Sequence, residues 1–188
     1  MSSFTVPTEV AVKIRNLRAK NRREKPGVDR EWGIWIEELD LPIGIRVLVM
    51  GPRGGEKGAL IDCINQREQG VEVSDQLNLR RVNDPEELSN GSKEERWLVL
   101  SEGHKMSKQE QILARCPEGS TVLASVDRDQ IVALTVLEPF SHVILMVDGK
   151  LSFFGTKHEF LHELPGLLRE NESLSQHFPE IKNLGVAQ

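Results

Sequence analysis

The run Gly51-Pro52-Arg53-Gly54-Gly55-Glu56-Lys57-Gly58 is the densest set of residues in the chain suited to holding an anion. Glycines let successive backbone N–H groups turn toward one centre, and a lysine at the start of the next helix reaches the outer oxygens of a phosphate chain. The full pattern for this chemistry is G-x-x-x-x-G-K-[ST]. Gly51 supplies its first glycine and Lys57 its lysine, but Glu56 replaces the second glycine and Gly58 the hydroxyl that would hold Mg²⁺. Glu56 brings negative charge and a Cβ to a place built for phosphate oxygens, and Gly58 offers a metal no oxygen. Gly51, Arg53, Gly54, Gly55 and Lys57 therefore read as a degenerate anion site, with Glu56 as an internal counter-ion for Lys57. Weak binding of ATP or phosphate is the most that this set implies.

Histidine, cysteine and carboxylate spacing adds one further candidate. His158-Glu159-Phe160-Leu161-His162 satisfies H-E-x-x-H, which on a helix sets two imidazoles one turn apart for zinc, with Glu172 or His177 as a third ligand. Thr156 and Glu159, however, have capping-box spacing, which gives the glutamate a structural use. No metal is expected. His104, His142, Cys63 and Cys116 show no ligand spacing, and the two cysteines read as reduced thiols of a reducing compartment.

The elements that must position these residues follow from periodicity. Val10, Val12 and Ile14 alternate with Ala11, Lys13 and Arg15, predicting a half-buried strand, and Trp32 to Ile36 a second. Leu41-Pro42-Ile43-Gly44 predicts a turn. Residues 45–50 form an apolar run apart from Arg46, as in a buried parallel strand. The glycine loop and a helix bearing Leu60, Ile61 and Ile64 follow directly. Residues 70–73 predict a short strand and residues 83–96 a polar surface loop. Residues 97–100 predict a buried strand, Ser107 to Ala114 a helix opened by a Ser107/Glu110 capping box, and residues 121–126 a third buried strand. Residues 129–137 predict a helix. Asp148-Gly149 between two apolar runs is a hairpin signal, and a helix follows from Thr156.

In this order the chain resembles the ATPase domain of ABC transporters, over roughly residues 8–165. Residues 31–64 are similar to its opening strand, turn and P-loop, residues 69–79 to the strand pair that follows, and residues 142–156 to its closing hairpin. Trp97-Leu98-Val99-Leu100-Ser101-Glu102-Gly103 corresponds to the Walker B strand. On that match Ser101 replaces the metal-binding aspartate, Glu102 stands where the general base lies, and Gly103 takes a proline's place. The switch histidine would fall at Val126 or Asp127, so it is absent. The basic segment around residues 20–25 lacks the aromatic that stacks on adenine, and the chain has no tyrosine. Between Val82 and Trp97 stand about a dozen polar residues, where the family carries the helical subdomain with its glutamine loop and signature motif.

The resemblance implies an α/β fold of P-loop NTPase type: a mostly parallel sheet with flanking helices and an antiparallel N-terminal β portion. It implies a degenerate domain over 1–165 and a helical tail over 166–188. It also implies that permease coupling and a catalytic ATP sandwich are lost. The expectation is a non-catalytic pseudo-ATPase, a scaffold, adaptor or regulatory subunit. The competing expectation is an atypical nucleotide-binding switch or ATPase using Lys57 and Glu102.

Apolar residues at 38% and charged residues at 28% fit a soluble globular chain, and no apolar run approaches the roughly 20 residues needed to span a bilayer. Neither a secretory leader nor a nucleic-acid partner is expected, the latter because the chain carries a net charge of −5. Residues 13–30 hold eight basic and two acidic side chains, net +6, which leaves −11 elsewhere. This stretch reads as a solvated basic loop between strands, able to meet an acidic partner or an anionic membrane surface. Trp32, Trp35, Phe153 and Phe154 are candidate contact residues. Family analogy adds a homodimer, or a heteromer in a membrane-associated or secretion-type assembly, in the cytoplasm or peripheral to the inner face of a membrane.

Overall fold

A computed structural model describes residues 9–20, 33–52, 56–88, 95–126, 134–170 and Leu174. Nine strands and three α-helices make up the described architecture: β1 (Val10–Lys20), β2 (Gly33–Pro42), β3 (Arg46–Met50), α1 (Lys57–Asn65), β4 (Val71–Val73), β5 (Asn78–Val82), β6 (Trp97–His104), α2 (Met106–Arg115), β7 (Thr121–Val126), β8 (His142–Val147), β9 (Lys150–Thr156) and α3 (Lys157–Glu170). The strands form one mixed sheet in the order β4-β1-β2-β9-β8-β3-β7-β6-β5. The five from β8 to β5 run parallel, and β4, β1 and β2 pair antiparallel. The fold class is α/β. No described helix is long and apolar enough to cross a membrane.

The continuous apolar runs of the parallel strands have a direct cause. Val47 and Val49 of β3, Leu98 and Leu100 of β6, and Ile144 and Met146 of β8 enter a core on one face, with Leu60, Ile61 and Ile64 of α1. The intervening Leu48, Val99, Val143 and Leu145 enter a second core on the other face, with Ile112 of α2 and Phe160 and Leu164 of α3. A strand covered on both sides needs apolar residues at every position. The first core also takes Ile14 and Leu17 of β1 and Ile36, Leu39 and Leu41 of β2, so α1 lies between the parallel strands and the antiparallel ribbon.

Several expectations need correction. Ala11, expected to face away from Val12, is as buried as Val12, because the β1–β2 register shifts between Val10 and Val12. The basic stretch from residue 13 is strand as far as Lys20, and residues 21–30 lie outside the described residues. Leu41 and Pro42 end β2, and the turn itself is Ile43 and Gly44. Helix α2 starts at Met106 with Lys105 as its N-cap, since the Lys105 carbonyl accepts from Lys108 and Gln109 N–H, which puts Ser107 inside the first turn. Within the expected polar loop, Pro85–Leu88 forms a 3-10 turn that buries Pro85 and Leu88, while residues 89–94 are outside the description. Of the helix expected over 129–137, Leu134–Leu137 is 3-10, and 129–133 lie outside. Helix α3 spans Lys157–Glu170, and most of the expected tail beyond it lies outside the described residues.

The Asp148-Gly149 hairpin and the Thr156/Glu159 box match their sequence signals. Asp148 and Gly149 both take positive φ, 48° and 74°, as a two-residue hairpin requires. Glu159 accepts from Thr156 N–H at 2.7 Å, and Thr156 Oγ1 accepts from Glu159 N–H at 3.2 Å.

Candidate functional site

Strands β3, β7 and β6 deliver their carboxyl ends to one edge of the sheet, with β7 between the other two. After β3 the chain forms β4 at the far edge of the sheet, then β5, β6 and β7 on one side of β3, and later β8 on its other side. In open α/β sheets the crevice beyond such a reversal is where ligands bind. Gly51 follows β3 at this edge, Lys57 opens α1, and Ser101 and Glu102 lie in the last half of β6.

Gly51 packs its backbone against β8 so closely that a Cβ there would run into the Met146 carbonyl oxygen. Only glycine fits. Arg53, Gly54, Gly55 and Asp127 lie outside the described residues. Glu56 is the N-cap of α1 in a left-handed conformation, φ 64° and ψ 28°, and its side chain caps nothing. The glycine of the phosphate-loop pattern is replaced at a position whose backbone favours glycine. Lys57 Nζ donates to the Gly51 carbonyl at 2.9 Å and the Pro52 carbonyl at 3.1 Å. The ammonium thus ties the start of α1 back to the end of β3.

Across the edge, Ser101 is fully buried, and its hydroxyl has no hydrogen-bond partner among the described residues. Glu102 is partly buried and engaged by Arg81 of β5, whose Nη2 donates to Glu102 Oε2 at 2.9 Å. The other end of the same guanidinium donates to Asp62 Oδ1 of α1 at 2.8 Å. Arg81 therefore bridges the helix after the glycine loop to the strand that carries Glu102. Sequence reasoning missed Arg81 and Asp62, since 19 and 21 residues separate the guanidinium from its two partners. It also missed Gln109, buried in α2, whose Nε2 donates to the Ser125 carbonyl at 3.0 Å.

The remaining candidates lie elsewhere. His158 and His162 are exposed on α3, Glu159 serves the cap, and Glu172 and His177 are outside the described residues. No cluster of three metal-ligating side chains occurs among the described residues. Cys63 is buried, and Cys116 donates to the Ile112 carbonyl, its thiol pushed by burial up to about 11. Neither forms a disulfide among the described residues. Phe153 is buried, Phe154 partly so, and Trp32 lies outside the description. Trp35 is 41% exposed, with the Arg18 guanidinium carbon 4.9 Å and Lys150 Nζ 5.2 Å from its ring centroid.

No protein-family model matches the chain, and no curated protein matches it.

Proposed function

We propose that the chain is a pseudo-ATPase of ABC-type P-loop descent, acting without hydrolysis as a scaffold, adaptor or regulatory subunit in a protein assembly. The descent is supported by the glycine loop between β3 and α1 and by Glu102 at the same sheet edge. The single observation that carries the loss of catalysis is the engagement of Glu102 by Arg81. A general base must present a carboxylate oxygen to the attacking water. Here one oxygen is committed to a guanidinium that also anchors Asp62. The neighbouring positions agree with this reading: Gly58 brings no oxygen to a metal, and Ser101 is buried.

Calorimetric titration with ATP and Mg²⁺ tests the proposal. No binding heat at millimolar nucleotide and no phosphate release are expected. Tight binding abolished in Lys57→Ala, together with turnover abolished in Glu102→Gln, would overturn it in favour of a nucleotide switch or ATPase working through those two side chains.

A further inference from the structure

Strands β2 and β9 are neighbours in the sheet, yet one register pair joins them, Trp35 with Lys150. The Trp35 N–H donates to the Gly149 carbonyl at 2.9 Å, and a Cβ on Gly149 would run into the Gly33 carbonyl oxygen, so the strands are in tight contact at this point. Beyond it no further pairing joins β2 to β9, although β2 continues to Pro42 and β9 to Thr156. Each strand is paired on its other side, β2 with β1 and β9 with β8. Two strand edges therefore face one another with no ladder between them over most of their length.

The space between them is open. One cavity of about 420 Å³ is lined by Trp35 to Glu38 on one side and Lys150 and Leu151 on the other. A second, of about 440 Å³, continues from Glu38 to Asp40 opposite Leu151 to Phe154. The two share Glu38 and Leu151, so they form one slot that starts at Trp35.

Its chemistry is asymmetric. Glu37, Glu38 and Asp40 are exposed along the β2 side. Arg15 serves Asp40 at 2.7 Å and Glu38 at 3.1 Å, while Glu37 has no cationic partner among the described residues. The β9 side contributes Leu151 and Phe154, both partly buried and packed on the core beneath. An extended chain placed here would find main-chain partners on both sides, apolar surface below and carboxylates along one rim. That is the requirement for recognition by strand addition.

We infer that the β2–β9 slot is a docking site for an extended segment of a partner protein with alternating basic and apolar residues, which enters as an additional strand. A basic side chain of the segment lies against Glu37, which no described cation serves, because Arg18 and Lys150 at the Trp35 end repel it there. The inference supplies a partner for the adaptor reading and depends on that reading only for its biological setting. Nucleotide binding and segment binding are measured separately, so one can fail without the other.

The probe is a capped heptapeptide alternating valine and lysine, fluorescently labelled and titrated against the full chain by anisotropy. Two companions are titrated alongside: the valine–glutamate counterpart, and the valine–lysine peptide N-methylated at alternate residues. The valine–lysine peptide is expected to bind at micromolar concentration, the other two at least tenfold more weakly, and Glu37→Lys to weaken binding about tenfold. Glu37 is exposed, so this variant keeps its fold, checked by circular dichroism. Equal binding of the N-methylated peptide would overturn strand addition, since that peptide keeps its charge but loses main-chain donors. Failure of the valine–lysine peptide at millimolar concentration, or binding indifferent to Glu37→Lys, would also overturn the inference.

Discussion

Glu56 occupies a backbone conformation that a non-glycine residue adopts at a cost, and it does so at the start of the helix that carries Lys57. Left-handed φ costs an L-residue about 1–2 kcal/mol, and glycine avoids that cost while giving up some unfolded-state entropy. Glu56→Gly is therefore expected to stabilise the fold by about 1 kcal/mol, read as a raised urea midpoint with unchanged slope. The same change restores one position of the phosphate-loop pattern, and Gly58→Ser restores the other. The double variant is expected to acquire ATP binding measurable below millimolar nucleotide, where the parent shows none, without turnover, because Arg81 still engages Glu102. A double variant that is folded and stabilised but binds no ATP would count against P-loop descent. Sequence alone marked Glu56 and Gly58, since a departure from a pattern is visible against that pattern. Arg81 and Asp62 were invisible because an arginine in a strand and an aspartate in a helix carry no mark of the tertiary contact that joins them.

Elements were legible where their signal was local. The Asp148-Gly149 hairpin and the Thr156/Glu159 box depend on dihedrals and hydrogen bonds within four residues, and both stand as read. The start of α2 was misplaced because Ser107 and Glu110 have box spacing, whereas the helix opens on the Lys105 carbonyl. The β1–β2 ribbon runs longer than its alternation suggested, since the register shift near Val10 and the left-handed Asn16, φ 51°, break strict period two. At the α3 cap a pH dependence follows. Hydrogen bonds from Thr156 N–H and Oγ1 hold the Glu159 carboxyl below its ordinary value. A carboxyl whose folded value is depressed adds stability above its unfolded value, and that contribution disappears as pH falls through the folded value. Urea midpoints of the parent and Glu159→Gln are thus expected to differ at neutral pH and to converge as the solution is acidified below the ordinary carboxylate range. A difference independent of pH would show that the box acts through shape alone.

Two cores share one sheet, and this arrangement decides how the whole molecule unfolds. Strands β3, β6, β7 and β8 send alternate residues to opposite faces, so neither core can come apart while those strands stay ordered against the other. The antiparallel ribbon belongs to the first core alone and is laddered to the rest of the sheet by the single Trp35–Lys150 pair, yet Ile36 and Leu41 are fully buried against the α1 layer. Burial, not the ladder, holds the ribbon. A cavity cut on either face should then destabilise the same global transition. Ile36→Ala removes a buried side chain from the ribbon face at about 2–5 kcal/mol, and Phe160→Ala removes one from the α3 face at about 3–5 kcal/mol. Far-UV circular dichroism reports the whole sheet. Trp97, 1% exposed in the second core, reports that face by fluorescence once Trp32 and Trp35 are replaced by phenylalanine. Both variants are expected to shift the two probes together, since each cut is felt through the shared strands. If Ile36→Ala moves the dichroism transition while Trp97 unfolds at the parent's urea concentration, the ribbon is a separate folding unit, and the shared strands do not couple the faces.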